Sequence, residues 1–198
     1  NAQNKLPMFF EAQNWLEVLR ADCIADEFKY NLIVKSGGDD YQRLDALKAA
    51  GIKLILPMNY PAAWDLSDAY SETAIPLSAM LHWEAAPSNA ELVRRAGIPF
   101  ALTSDAVKEP GKFWEAIRKT IKAGLPESEL IKAFTETPAE WIGASDIIGG
   151  LQPGKIANFF ISTDSISVEQ MGILETWVQG QRYIHDAGIQ QDIRGTYT

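Results

Sequence analysis

Residues 31–57, NLIVKSGGDDYQRLDALKAAGIKLILP, contain the pattern that decides the fold class. An apolar run at Leu32–Val34 leads into the turn residues Ser36–Gly38, and a second apolar run follows at Ile52–Leu56. Such runs are typical of strands that are buried on both faces of a parallel sheet. Between them lies a helical pattern that ends at Gly51 and has apolar residues at Tyr41, Leu44, Leu47 and Ala50. The stretch therefore predicts one β–α–β unit.

The same order of strand and helix recurs on both sides of this unit. A run at Pro7–Phe10 precedes a helical pattern over 13–29, and a run at Pro99–Leu102 leads into Thr103–Asp105. The repetition predicts an α/β fold with a parallel sheet. Three further helical segments follow, at Phe113–Ala123, Glu127–Phe134 and Pro138–Ile142.

Loops and helix starts follow from local residue chemistry. We interpret Pro57–Pro87, which is rich in Pro, Ala, Ser and Asp, as a long loop of the kind that is often functional. Asp39 or Asp40 is expected to cap the helix of the opening stretch. The last helix is expected to begin with Thr137 as N-cap and Pro138 at its first position.

The chain changes character after residue 145. Short β-like pieces at Asn158–Ile161, Thr176–Val178 and Tyr183–Ile184 are separated by glycine and proline residues. We therefore predict two parts, an α/β domain over 1–145 and a β-strand segment over 146–198.

Composition and charge exclude several classes of protein. Of the 198 residues, 46% are hydrophobic, which excludes a disordered chain. With 18 Lys+Arg against 26 Asp+Glu, the net charge of -8 disfavours a nucleic acid partner. No apolar run reaches the length of about 18 residues that a membrane span needs. Cys23 is the sole cysteine, so an internal disulfide is excluded, and only His82 and His185 could supply imidazole ligands.

The most specific motif lies at 135–161. It contains Thr137-Pro138-Ala139-Glu140, then Gly143, then IGGLQPGKIANF at 148–159. This motif resembles the end of the barrel in the amidohydrolase superfamily, and the imidazolonepropionase-like metal-dependent hydrolases best of all. Gln152 and Asn158 depart from the Glu and Asp that are common in the family. The Trp177–Gln181 segment is similar to a strand turn of the same family.

The resemblance implies a particular fold. The chain would be the C-terminal half of a (β/α)8 TIM barrel, strands five to eight, followed by the C-terminal strands of a small composite β-sandwich. We expect a C-terminal fragment, because only four βα units are found and a whole barrel takes about 250 residues. Its partner would be the missing N-terminal half of the same protein. Because half of a parallel barrel leaves open strand edges, we also expect self-association.

The resemblance also implies a chemistry. Family members hydrolyse carbon–nitrogen bonds other than peptide bonds, with water activated by zinc-like divalent metals. Their ligands include His on the fifth and sixth strands and Asp on the eighth. Asp105 matches the eighth-strand carboxylate and is the candidate catalytic residue and metal ligand. Glu11 stands at the fifth-strand position as a second candidate ligand, whereas Lys35 and Ser36 stand where the sixth-strand His is expected.

Two functional hypotheses follow. The first is hydrolysis of C–N bonds as in the family. The second is a degenerate, non-catalytic barrel that serves as a scaffold or ligand-binding module, because Lys35 repels a cation and would pair with Glu11 or Asp105 in its place. On that interpretation the family's metal is absent here, and this piece alone is inactive. His82 is the candidate substrate-binding residue of the long loop, with loop anchoring as the alternative; for Asp105 the alternative is a turn cap.

Overall fold

The computed structural model of the chain describes residues 6–65 and 75–185. Its strands are β1 (Pro7–Glu11), β2 (Asn31–Lys35), β3 (Lys53–Pro57), β4 (Phe100–Thr103), β5 (Phe159–Ser162), β6 (Ile173–Val178) and β7 (Gln181–Ile184). Its α-helices are α1 (Trp15–Phe28), α2 (Leu44–Ala50), α3 (Leu77–Ala85), α4 (Asn89–Ala96), α5 (Pro110–Lys122), α6 (Glu127–Phe134) and α7 (Glu136–Trp141). Short 3-10 turns lie at Asp40–Gln42 and Ala86–Ser88.

The first four strands form one parallel sheet in the order β1-β2-β3-β4. The predicted α/β class is therefore confirmed, and the four apolar runs lie side by side in one direction. In the register, Glu11 is opposite Lys35, Lys35 is opposite Ile55, and Pro57 is opposite Thr103. The carboxyl ends of all four strands consequently meet at one edge of the sheet, which we call the carboxyl edge.

The two faces of this sheet have different surroundings. Residues that are opposite one another in the register share a face. One face contributes Val34, Leu54, Leu56, Phe100 and Leu102 to the main hydrophobic core, together with helix residues such as Val18, Leu47, Val93, Ile117 and Leu130. The other face has Phe9, Ile33 and Ile55 and ends in Glu11 and Lys35. Helix packing thus leaves the second face to present charged groups at the carboxyl edge.

A glycine turn holds β2 close to the end of β1. A Cβ atom at Gly37 would lie 2.0 Å from the backbone oxygen of Gln13, so only glycine fits there. The Ala12 amide also donates to the Lys35 carbonyl oxygen at 2.9 Å. The tight turn after β2 therefore fixes where Lys35 and Ser36 lie relative to Glu11.

The predictions for the loop at 57–87 and for the start of the last helix are wrong. Part of the predicted loop is the helix α3, which has no buried residue. Its apolar residues Leu77, Met80 and Leu81 follow helical spacing, but the Pro-, Ser- and Asp-rich composition of 57–87 indicates a loop. The last helix has Thr135 as its N-cap, so Pro138 lies inside its first turn and Thr137 does not cap it.

The remaining strands form a separate antiparallel sheet in the order β5-β6-β7. It contacts the helices of the first part through the rings of Trp114 and Phe160, whose centroids are 6.1 Å apart. The loop between β5 and β6 adds Ile166 to the main core. In the described residues, no helix is both long and apolar enough to cross a membrane.

The motif at 148–159 has a packing role that can be tested by substitution. Gly149 and Gly154 both have positive φ, +89° and +96°, but only at Gly149 would a Cβ meet close neighbours, Ala139 Cβ at 2.7 Å and the Thr135 carbonyl oxygen at 3.0 Å. We expect Gly149→Ala to lower the free energy of unfolding by about 2 kcal/mol more than Gly154→Ala, since both share the backbone strain and only one adds a clash. Urea unfolding of the two variants measures this difference, and equal losses would contradict the packing role.

Candidate functional site

Three charged side chains meet at the carboxyl edge. Glu11 and Lys35 are the last residues of β1 and β2, and Asp105 follows the end of β4. The Lys35 ammonium donates a hydrogen bond to Glu11 Oε1 at 2.9 Å and a second, short one to Asp105 Oδ2. Lys35 therefore contacts both carboxylates, and not one alone. We call these three residues the ion-pair triad.

The triad is open to solvent on its acidic side. The side chains of Glu11 and Asp105 are 61% and 58% exposed, whereas that of Lys35 is 25% exposed. The hydrogen bond from Lys35 lowers the pKa of Asp105, and the hydrogen bonds to Asp105 and Glu11 raise the pKa of Lys35. Asp105 and Lys35 are therefore both charged at neutral pH, and with Glu11 the triad has two carboxyl groups against one ammonium.

A strained turn positions Asp105. The Val107 amide donates to the Ser104 carbonyl oxygen at 3.0 Å, and the Asp105 amide donates to Thr103 Oγ1 at 3.1 Å. Ala106 has φ +65°, a left-handed conformation that costs a non-glycine residue about 1 kcal/mol. A backbone hydrogen bond from Ala106 also helps to lower the pKa of Asp105. The turn therefore holds the Asp105 carboxylate in place. This carboxylate both caps the turn and binds Lys35.

A buried polar network lies directly behind the triad. Asp40 is 0% exposed, and its Oδ2 accepts hydrogen bonds from Ser36 Oγ at 2.7 Å and from Asn89 Nδ2 at 2.9 Å. The amide of Tyr41 donates to Asn89 Oδ1 at 2.8 Å. The Ser36 hydroxyl is thus buried and bound to Asp40. The network anchors the residue next to Lys35.

The chain also matches a known family. A model of the amidohydrolase family matches residues 42–183, which is more than half of the chain. The chain belongs to the amidohydrolase family. The search of curated proteins found no match.

Solved structures show the same fold. An amidohydrolase from Thermotoga maritima MSB8 has a TM-score of 0.72 and 21% identity, over 92% of this chain and 44% of that one. A prolidase complexed with N-methylphosphonate-L-proline has a TM-score of 0.61 and 15% identity, over 91% of this chain and 45% of that one. Molinate hydrolase has a TM-score of 0.57 and 13% identity, over 90% of this chain and 42% of that one. This amidohydrolase chain therefore spans less than half the length of these structures.

The charged groups that this chain places at the carboxyl edge do not by themselves form a ligand set for the divalent metal that amidohydrolases generally use. Among residues 6–65 and 75–185, no group of three or more His, Cys, Asp or Glu side chains could hold a metal ion. The two carboxylates that could contribute, those of Glu11 and Asp105, both bind the Lys35 ammonium. A divalent cation at this position would be repelled by that ammonium and would have to displace it.

The predicted site residues are only partly brought together. The triad unites Glu11, Lys35 and Asp105, whereas His82 lies elsewhere: its Nδ1 is 3.1 Å from the hydroxyl of Tyr41, and the two rings stack with centroids 6.1 Å apart. Within the described residues, no hydrogen bond joins His82 to the triad. This contact fits the loop-anchoring alternative, and a substrate-binding role for His82 stays a prediction.

The role of the two adjacent aspartates is different from the one predicted. Neither caps α2, whose N-cap is Arg43. Asp39 Oδ1 instead accepts from the Trp15 amide at 2.8 Å, and Asp40 is the centre of the buried network. The sequence shows two acidic residues after a glycine turn, but it does not show their partners. These partners, Trp15 and Asn89, are distant in sequence.

The burial of Asp40 predicts a pH dependence of stability. Burial raises the pKa of Asp40 above its usual 3.8, so its contribution to stability is present below that value and is lost as pH rises through the folded pKa. The Asp40→Asn variant has no charge to bury. We therefore expect its free energy of unfolding to increase relative to that of the wild type as pH rises. Urea unfolding of both proteins between pH 4 and 8 measures the difference.

Glu91 provides a contrast of opposite sign. Hydrogen bonds from Arg94, with those from Arg95, lower the pKa of the buried Glu91, so its contribution is lost as pH falls below 4.5. The free energy of unfolding of the Glu91→Gln variant should therefore increase relative to that of the wild type as pH falls. If the stabilities of Asp40→Asn and Glu91→Gln changed with pH in the same way, the opposite roles of the two carboxyl groups would be contradicted.

Proposed function

We propose that this chain forms strands five to eight of an amidohydrolase barrel, with residues 1–145 in the barrel and 146–198 in a composite β-sandwich. The sequential order of four parallel strands supports the barrel half, because neighbouring strands of a (β/α)8 barrel follow one another in the chain. The antiparallel sheet of β5, β6 and β7 supports the second part. On this proposal the remaining strands come from the N-terminal half of the same protein.

We further propose that this barrel binds a ligand or acts as a scaffold, without water activated by a metal. The observation that carries this proposal is the Lys35 ammonium between Glu11 and Asp105. The active sites of such barrels lie at the carboxyl ends of the strands. An internal ammonium there offsets one of the two carboxylate charges and binds the oxygens that would otherwise attract a cation. The ion-pair triad then supports the mouth of the barrel in place of a metal.

Hydrolysis of non-peptide C–N bonds is the second candidate. Family membership and the position of Asp105, exposed at the end of the fourth strand of the sheet, favour it. In the family a bound divalent metal supplies the activated water. Glu11 and Asp105 are the residues of this chain that could contribute ligands, and both would first have to release Lys35.

Zinc content distinguishes the two candidates. We expect the purified protein, equilibrated with zinc and desalted, to retain well below one zinc per chain by elemental mass spectrometry, because the ammonium competes for both carboxylates. Stoichiometric zinc that is lost in Asp105→Asn and kept in Asp146→Asn would overturn the ligand-binding proposal and support hydrolysis. Asp146 is a suitable control because it is an exposed aspartate outside the triad.

The open edge of the sheet predicts self-association when this chain is produced without other strands. Within the described part of the chain, no strand pairs with the outer edge of β1, and Phe9 on that strand is 59% exposed. Such edges and apolar surfaces favour pairing with another copy. Light scattering should give a mass above that of the monomer and rising with concentration.

Two substitutions test whether the copies associate through the surface around Phe9. Phe9→Glu should shift the protein toward the monomer, whereas Ile131→Glu, at an exposed apolar position on α6, should leave the mass unchanged. A monodisperse monomer at all concentrations would contradict the prediction.

A further inference from the structure

A cavity of about 310 Å³ lies beside the carboxyl edge. It is bounded by the segment that follows β3, by the turn after Asp105 and by α5. None of the three triad residues lines it, so the cavity is distinct from the triad. It has the size of small ligand sites, which begin at about 300 Å³.

The inner wall of this cavity is apolar and buried. Met58 and Ala116, which line it, both belong to the main hydrophobic core. The ring of Tyr60 lies beside them, and its hydroxyl is 2.6 Å from Oγ1 of the fully buried Thr120. Because that hydroxyl already has a partner, the tyrosine offers mainly its ring to a ligand. This wall therefore suits an apolar group.

The rim of the cavity is positively charged. It has Lys108, Lys112 and Lys119 against Glu109 and Glu115, an excess of one positive charge. Lys112 pairs with Glu109 at 3.1 Å, whereas Lys108 and Lys119 have no ion pair within the described part of the chain. Two exposed lysines without an ion pair in the described residues therefore lie at the rim of this cavity. An excess of one charge matches a singly charged anion better than a doubly charged one.

Backbone strain is located at the same cavity. Ala106, with its positive φ of +65°, contributes to the lining, as does Val107. Strained residues concentrate at ligand sites and switches, where the surrounding structure keeps them in place. The same turn holds Asp105, so one short segment joins the cavity to the triad.

We propose that this cavity binds an organic monocarboxylate. The carboxylate would lie at Lys108 and Lys119, and the apolar body would contact Met58, Tyr60 and Ala116. The proposal is independent of whether the carboxyl edge holds a metal, because it uses none of the triad residues.

Benzoate is a probe of this size, with benzamide as its uncharged analogue. Titration of the protein with benzoate, followed by NMR chemical shifts, should show saturable binding that is at least fivefold tighter than that of benzamide. Lys119→Gln should weaken benzoate binding about fivefold, as expected for the loss of a solvated charge contact. Lys122→Gln, an exposed lysine of the same helix outside the cavity, should leave it unchanged. Both lysines are exposed, and equal thermal unfolding of the variants confirms that each is folded.

Three results would overturn the proposal. The first is the absence of saturable benzoate binding, and the second is an equal effect of Lys119→Gln and Lys122→Gln. The third is inorganic phosphate binding as tightly as benzoate with the same dependence on Lys119, which would show a simple charge site without an apolar contact. None of these results depends on the zinc content, so this proposal and the proposed function fail separately.

Discussion

The parallel alignment of β1, β2, β3 and β4 is the constraint on which the rest of the structure depends. Parallel strands end at one edge, so residues that are far apart in the chain become neighbours when each follows its own strand. Lys35 and Asp105 are separated by 70 positions, yet their side chains are hydrogen-bonded. The helices cover one face of the sheet with a continuous core. The charged groups consequently lie on the other face and at the carboxyl edge.

At that edge, the balance of charge decides what chemistry is available. Two carboxylates attract a cation, and the protein supplies one itself as the ammonium of Lys35. This internal pairing needs no ligand and lowers the pKa of Asp105. A metal at the same place would have to compete with a cation that is covalently attached nearby. Membership of the amidohydrolase family therefore describes the fold of this chain, whereas the proposal that it acts without a metal rests on three side chains.

Buried contacts and a tight turn flank the exposed triad. Gly37 allows the turn after β2 to lie against the backbone of Gln13, where any side chain would clash. Ser36 is hydrogen-bonded to the buried Asp40, and Asp40 is bound in turn to Asn89. Opposite them, the strained turn at Ala106 positions Asp105. Solvent reaches the carboxylates, but buried groups and backbone geometry determine where Lys35 and Asp105 lie.

The sequence by itself determined the strands and their parallel class, because buried strands need unbroken apolar runs. It also determined the family, because the motif at 148–159 lies within one contiguous stretch of the chain. It also indicated that Lys35 would pair with a carboxylate. Tertiary structure alone decided that it pairs with two, that Asp40 is buried against Asn89, and that lysines surround a cavity beside Tyr60. The helix α3 also escaped prediction, because the composition of 57–87, rich in Pro, Ala, Ser and Asp, indicates a loop. Contacts between distant segments depend on register and packing, which local periodicity does not encode.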